Sequence, residues 1–289
     1  MDKWRLPLTC LCFLAPALAL MVAAVEAAPP AVKAPAAAAA ARHYVLVHGS
    51  GHGAWCWYKV HNLLRRAGQK VTALDLTSAG ISPIDPNSVL TFPYYNKPLI
   101  DFLASLPPNE KVVLVGHSAG GLSLTHAIHM FGPKKISAAV YAGAVMLRSG
   151  FITREDLAIG FPNISEAVRL GFGQAPDRSI MMTSFAFLPK YLRKVLYNRS
   201  PEEDIVLASA LLKPAPGHAM LAARFNSSGV DVDGVPRVYV KTMMDRVFKQ
   251  EVQDAMIKKW PPHKVVALNS DHCLFFSAPE QFTEVLLKV

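Results

Sequence analysis

Short apolar runs, most of them four residues long, alternate along this chain with longer stretches whose apolar residues recur every three or four positions. The runs are Tyr44–Val47, Val71–Leu74, Val112–Val115, Ser137–Val145, Val238–Lys241 and Val265–Leu268. Most are rich in β-branched residues and lack a polar alternation, as strands do when both faces are buried. The periodic stretches Trp55–Ala67, Pro98–Leu106, Gly120–Phe131, Lys249–Lys259 and Pro279–Lys288 predict helices. Strands separated by helices predict a mostly parallel six-stranded sheet with right-handed crossovers, flanked by helices, in the α/β class. The chain shows no internal repeat.

One segment breaks the alternation. Residues 147–235 are too long for a single connection and read as a mainly helical cap between the fourth and fifth strands. Open α/β sheets bind ligands beyond the carboxyl ends of their strands, and the cap is expected there. It is rich in Met and Phe, including Met181, Met182, Phe185, Phe187, Met220 and Phe225. Such residues pack a cap onto its body or wall an apolar pocket.

The start of the chain reads differently. Lys3 and Arg5 precede an apolar run from Leu6 to Val25, and Val25-Glu26-Ala27 suits cleavage after Ala27. Residues 1–27 are therefore expected to be a secretory signal, which places the protein in a secreted or endomembrane setting. An uncleaved anchor fits the cleavage site less well. A chloroplast transit peptide lacks its Arg- and Ser-rich character here. Residues 28–41, almost all Ala and Pro, form a low-complexity linker, and 42–289 form the folded domain. Asn163-Ile164-Ser165 and Asn226-Ser227-Ser228 are glycosylation sequons.

Composition narrows the partners. Hydrophobic residues make up 52% and charged residues 18%, a globular balance. The net charge of +9 is scattered over sites such as Arg65, Lys134, Arg193 and Lys258, without a basic run interleaved with aromatics. That describes a solubilising surface rather than a nucleic-acid site. No stable membrane association is expected once the signal is cleaved, and a homodimer is compatible with the sequence. Outside the leader only Cys56 and Cys273 remain, too few for a disulfide framework, so they are a single bridge or two buried thiols.

The chemistry centres on Gly116-His117-Ser118-Ala119-Gly120, a G-x-S-x-G motif that follows a strand and opens a helix. This is the setting of a nucleophile elbow in the α/β-hydrolase fold, where the acid and then the histidine follow the serine. A serine alcohol needs a general base. His126 and His129 lie on the helix leaving the elbow, and His263 precedes the sixth strand at the wrong edge of the sheet. His272 follows that strand on the edge of Ser118 and is the expected base. Asp231 and Asp233 precede the fifth strand, Asp254 lies inside a helix, and Asp271 adjoins His272 too closely to orient its ring. Asp245, after the fifth strand, is the expected acid. The oxyanion donors are expected from the backbone N–H groups of Ala119 and of Ser50, in the loop His48–Gly53 after the first strand. His48 and His52 sit on that loop without further ligands nearby, so no metal is expected.

Several stretches resemble the plant methylesterase family, which includes salicylic-acid-binding esterases, polyneuridine aldehyde esterase and hydroxynitrile lyases. They are HYVLVHGSGHGAWCWYKV, AGQKVTALDLTSAGI, KVVLVGHSAGG, SPEEDIVLASALLKP, RVYVKTMMD and SDHCLFFSAPE, spread from His43 to Val289. YNKPL, RVYVKT, KWPP and DHCLFFS look most like the branch acting on methyl indole-3-acetate. The resemblance implies a serine carboxylesterase for methyl esters of small plant acids, such as indole-3-acetate, jasmonate or salicylate, acting through an acyl-enzyme without a cofactor. It puts the triad on Ser118, Asp245 and His272 and the oxyanion donors on Ser50 and Ala119. Gly49, His117, Met181, Phe185 and Phe187 are the candidate pocket residues. Lyases of the family resemble the esterases but carry threonine after the first-strand histidine and lysine after the catalytic one. Here those positions are Gly49 and Cys273. A lyase, or a hormone receptor without turnover, is the alternative. The cap has no Trp, unlike the salicylate-type members.

Overall fold

The computed structural model describes residues 41–289, apart from 161–163, 175–176 and 227–228. The expected signal, nearly all of the linker and parts of both sequons lie outside the described residues. Among the described residues eight strands occur in chain order: β1 His43–Val47, β2 Lys70–Leu74, β3 Val112–His117, β4 Ile136–Ala142, β5 Val168–Gln174, β6 Ile180–Phe187, β7 Arg237–Thr242 and β8 Lys264–Leu268. Six form one sheet in the order β2-β1-β3-β4-β7-β8, and every neighbouring pair is parallel. All residues of β1 and β3 are buried, as their uninterrupted apolar sequences require when helices cover both faces.

The strand order places the site. From β1 the chain moves outward to β2, returns to β3 beside β1, and then proceeds the other way. The connections leaving β1 and β3 therefore diverge, which opens a crevice at the carboxyl ends of these two strands.

Helices fall where their periodicity predicts. Gly120–Phe131 matches residue for residue, and Lys97–Ser105, Gln250–Lys259 and Pro279–Leu287 differ by a residue or so. The stretch from Trp55 splits into a 3-10 turn, Ala54–Trp57, and a helix, Tyr58–Arg66. The fourth strand ends at Ala142 rather than Val145, because Gly143 turns the chain at φ +49°. Beyond that turn the Val145 N–H serves the elbow, donating to the Ser118 carbonyl at 2.9 Å.

Between β4 and β7 the described residues of the cap form four short α-helices, Arg154–Ala158, Pro189–Val195, Glu202–Leu211 and Gly217–Leu221. It also contains an antiparallel hairpin, β5–β6, that the sequence does not announce. In β5 the apolar residues Leu170 and Phe172 alternate with glycines rather than with polar residues, which hides the period-two signal. Cys56 and Cys273 are buried free thiols, and burial pushes both well above the usual thiol range. Among the described residues no helix is long and apolar enough to cross a membrane.

Candidate active site

Ser118 sits at the turn between β3 and the helix Gly120–Phe131, with φ at +53°. A left-handed serine is strained and persists only where its surroundings hold it. Its carbonyl accepts from Gly121 N–H at 3.1 Å and from Val145 N–H at 2.9 Å. The helix after the turn presses against β1: a Cβ at Gly120 would lie 2.6 Å from the His48 carbonyl oxygen. Only glycine permits that approach, which lifts the Ser118 hydroxyl above the sheet edge.

His272 lies on the loop after β8. Its Nε2 is 3.0 Å from Ser118 Oγ, and its Nδ1 is 2.8 Å from Asp245 Oδ2. All three residues are buried, Ser118 least so. Asp245 is held on every side. Thr242 Oγ1 donates to Oδ2 at 2.7 Å, and the N–H groups of Val247 and Phe248 donate to Oδ1 at 2.8 and 2.9 Å. A carboxylate with its acceptor positions so occupied has one orientation to offer the imidazole. That fixes Nδ1 as the protonated nitrogen and leaves the Nε2 lone pair toward the serine. The carbonyl of His272 accepts from His117 Nε2–H at 2.8 Å. Burial, above all, and the neighbouring rings of His272 and His52 hold His117 well below the usual imidazole range, so it is a neutral prop.

The rejected candidates are occupied elsewhere. Asp271 accepts from Arg199 N–H, Ser200 Oγ, Cys273 N–H and Ser277 Oγ, binding the cap to the loop that carries His272. His129 Nε2 meets the Arg148 carbonyl, and His263 Nδ1 accepts from Arg237 N–H at the opposite edge of the sheet.

Gly49 and Ser50 follow β1 directly. Among the described residues the N–H groups of Ser50 and Ala119 engage no other acceptor. Ser50 is fixed through its carbonyl, which accepts from His52 Nδ1–H at 3.0 Å, while His52 Nε2 accepts from Tyr197 Oη at 2.7 Å. Burial pushes the His52 imidazole down to about 3, so it stays neutral. His48 likewise uses both nitrogens, Nδ1–H to the Gly49 carbonyl and Nε2 from Leu76 N–H. Neither ring has a lone pair left for a metal, and no cluster of potential metal ligands occurs among the described residues.

Ser50, Ser118, Ala119 and His272 form the polar end of a cavity of about 350 Å³. Apart from Ser165, the remaining wall is apolar and comes from three places. Leu122 and Val145 belong to the body, Val247 and Phe248 follow Asp245, and the cap adds residues including Leu170, Met182, Phe185, Phe187 and Met220. A second hollow of about 420 Å³, lined by Lys194, Arg246 and Lys249 among others, lies behind the Asp245 loop, and neither Ser118 nor His272 lines it.

Of the expected pocket residues, Phe185 and Phe187 line the cavity. Met181 does not; its neighbour Met182 does, because successive strand residues face opposite sides. Gly49 and His117 are not in the wall either. They lie behind Ser118, where a Cβ on Gly49 would come within 2.7 Å of Ser118 Cβ and 2.9 Å of His117 Nδ1. Phe225, in the apolar cap set, packs instead on Phe92 and His126. Val247 and Phe248 escape sequence reasoning, although their position two and three residues after Asp245 is a usable signal.

The profile of the Alpha/beta hydrolase family matches residues 44–285. Methylesterase 17 of Arabidopsis thaliana is 48% identical over 252 residues, covering 85% of this chain and 90% of its own length. The crystal structure of methylesterase MES16 from Arabidopsis superposes with a TM-score of 0.74 at 41% identity, over 86% of this chain and 98% of that one. Polyneuridine aldehyde esterase superposes with a TM-score of 0.77 at 33% identity, again over 86% and 98%.

Proposed function

The chain belongs to the α/β hydrolases and, within them, to the plant methylesterase family; it is a carboxylic ester hydrolase, and we propose that Ser118 cleaves methyl esters of small, apolar plant acids through an acyl-enzyme. One observation carries this reading: an unbroken contact from Asp245 through His272 to Ser118 at the polar end of an apolar cavity.

The geometry supports the following steps. His272 Nε2 takes the Ser118 proton as Oγ attacks the ester carbonyl, and Asp245 stabilises the imidazolium that forms. The carbonyl oxygen becomes an oxyanion and receives the N–H groups of Ser50 and Ala119. The tetrahedral adduct collapses, the imidazolium protonates the departing methoxide, and methanol leaves. Water, deprotonated by His272, then attacks the acyl-enzyme carbonyl; the second adduct collapses, the imidazolium returns that proton to Ser118 Oγ, and the acid leaves. The apolar wall suits the acid part of the ester, while methanol is small enough to leave past the polar end.

Two features support hydrolysis over cyanide release. A threonine at position 49 would drive its Cβ into Ser118 and His117. Cys273, where the lyases carry a lysine, is a buried thiol held neutral by burial and supplies no positive charge.

The test is methanol release from a panel containing methyl indole-3-acetate, methyl jasmonate and methyl salicylate, with Ser118→Ala as the control. The variant is expected to lose at least ~100-fold in rate. An unchanged rate in the variant, or no methanol from any ester with the native protein, refutes the assignment.

A further inference from the structure

The β5–β6 hairpin carries more apolar surface than the cavity uses. Directly opposed residues of an antiparallel pair share a face. The pairs are Val168 with Phe187, Leu170 with Phe185, Phe172 with Met182, and Gln174 with Ile180. Between them the register shifts: Gly171 pairs with Ser184 and Phe172 with Met182, so Thr183 is an extra residue on β6. A bulge on one strand leaves the other strand's alternation intact. Val168, Leu170 and Phe172 therefore share a face, and the bulge returns Met182 and Ile180 to it.

The cavity uses the first part of this face. Val168, Leu170, Met182, Phe185 and Phe187 line it. Phe172 and Ile180 stand on the same face beyond the rim, 62% and 70% exposed. Leu170 belongs to the wall and is itself 50% exposed, so the apolar lining passes from cavity to surface without a break. Arg169 pairs with Ala186 on the opposite face, so no charge interrupts the track. The hairpin is also fixed to the body. Thr183 and Ser184 at the bulge both donate to Asn87 Oδ1, at 2.6 and 2.8 Å. Exposed apolar surface continuous with a ligand cavity marks a place where a ligand lies.

Resting on the reading of Ser118 as an esterase nucleophile, we infer that this face is a distal acyl groove. Among methyl esters of apolar acids, it favours those whose acid part is elongated enough to reach past the cavity. The ester end sits at Ser118, the middle of the acid fills the cavity, and the far end lies over Phe172 and Ile180. A strand advances about 3.4 Å per residue, so the track from Leu170 to Gln174 extends the site by roughly 14 Å.

The experiment is a series of straight-chain methyl esters from six to fourteen carbons, held below their aggregation limits, with kcat/KM measured for each. The native protein is expected to gain about two-fold per methylene past the length that fills the cavity, roughly half of what full burial gives. Phe172→Ser and Ile180→Ser, both at exposed positions, are expected to lower the long-to-short ratio of kcat/KM by about ten-fold together. Val206→Ser, an exposed apolar position on a cap helix whose residues do not line the cavity, serves as the control and leaves the ratio unchanged. Calorimetric binding of the corresponding acids to Ser118→Ala reads the same groove without turnover. A long-to-short ratio that the two substitutions do not change, in turnover and in binding alike, overturns the groove while leaving the esterase intact. Chain-length-dependent binding that needs Phe172 and Ile180, with no ester hydrolysed, supports the groove and removes the esterase reading instead.

Discussion

At Gly49 the absence of a side chain decides whether Ser118 and His117 can occupy their places. The nearest atoms to a Cβ there are Ser118 Cβ at 2.7 Å and His117 Nδ1 at 2.9 Å, and neither has room to retreat. Ser118 is held in a strained turn, and His117 grips the His272 carbonyl. Gly49→Ala should therefore displace the nucleophile from its base. A misplacement of about 1 Å costs on the order of 100-fold, so kcat for the best methyl ester is expected to fall by that much with the fold retained. Steady-state kinetics beside a circular dichroism melt checks this, and a variant with native kcat would show that the elbow absorbs the methyl group. The sequence marks Gly49 as part of a small-residue loop. It does not say that the crowding partner is the serine 69 positions away, because that contact arises only when β1 and β3 pair.

Among the elements, a loop, a hairpin and a 3-10 turn divide the work. The Asp245 loop fixes the acid with its own N–H groups and turns Val247 and Phe248 into the cavity. The hairpin supplies much of the opposite wall, and its aim depends on the bulge at Thr183 and Ser184. Both hydroxyls are buried and share one acceptor, Asn87 Oδ1, on the 3-10 turn Pro86–Ser88. Asn87→Ala leaves Ser184 without its acceptor and Thr183 with only a long contact to the Gly171 carbonyl. Losing such a partner costs about 1–3 kcal/mol, so the urea midpoint should drop accordingly. Amide exchange in β6 should quicken more than in β3, and a hairpin as protected as in the native protein would rule out the anchoring role.

Across the whole molecule, acid is the predictable weakness. His48, His52 and His117 are buried in one region beneath the nucleophile, and burial holds each below its ordinary value of 6.5. The folded state refuses protons that the unfolded chain accepts once the pH falls below 6.5. Stability is therefore full above that value and declines as the pH drops toward the folded-state value. For His52, which is pushed down to about 3, the loss at pH 5 amounts to about 2 kcal/mol. A thermal melt series is expected to be flat from pH 8 to 7 and to fall steadily between pH 6.5 and 5. His52→Asn should flatten part of that fall, and a melting temperature independent of pH over this range would contradict neutral buried rings.

The order of strands and helices, the turn at Ser118 and the meeting of Ser118 with His272 and Asp245 were legible in the sequence alone. Each rests on a local pattern: apolar runs, glycine spacing, or position just after a strand. Burial on both faces forces the first, backbone strain the second, and the common edge of a parallel sheet the third. Only the tertiary structure decided which cap residues face the serine. Met182 rather than Met181 lines the cavity, the hairpin lies hidden behind alternating glycines, and Val247 and Phe248 close the wall. Strand side chains alternate every residue, so a single bulge or a shift of one position exchanges inside for outside. That choice is made by contacts between segments far apart in the chain, such as Asn87 with Thr183, and no local pattern encodes it.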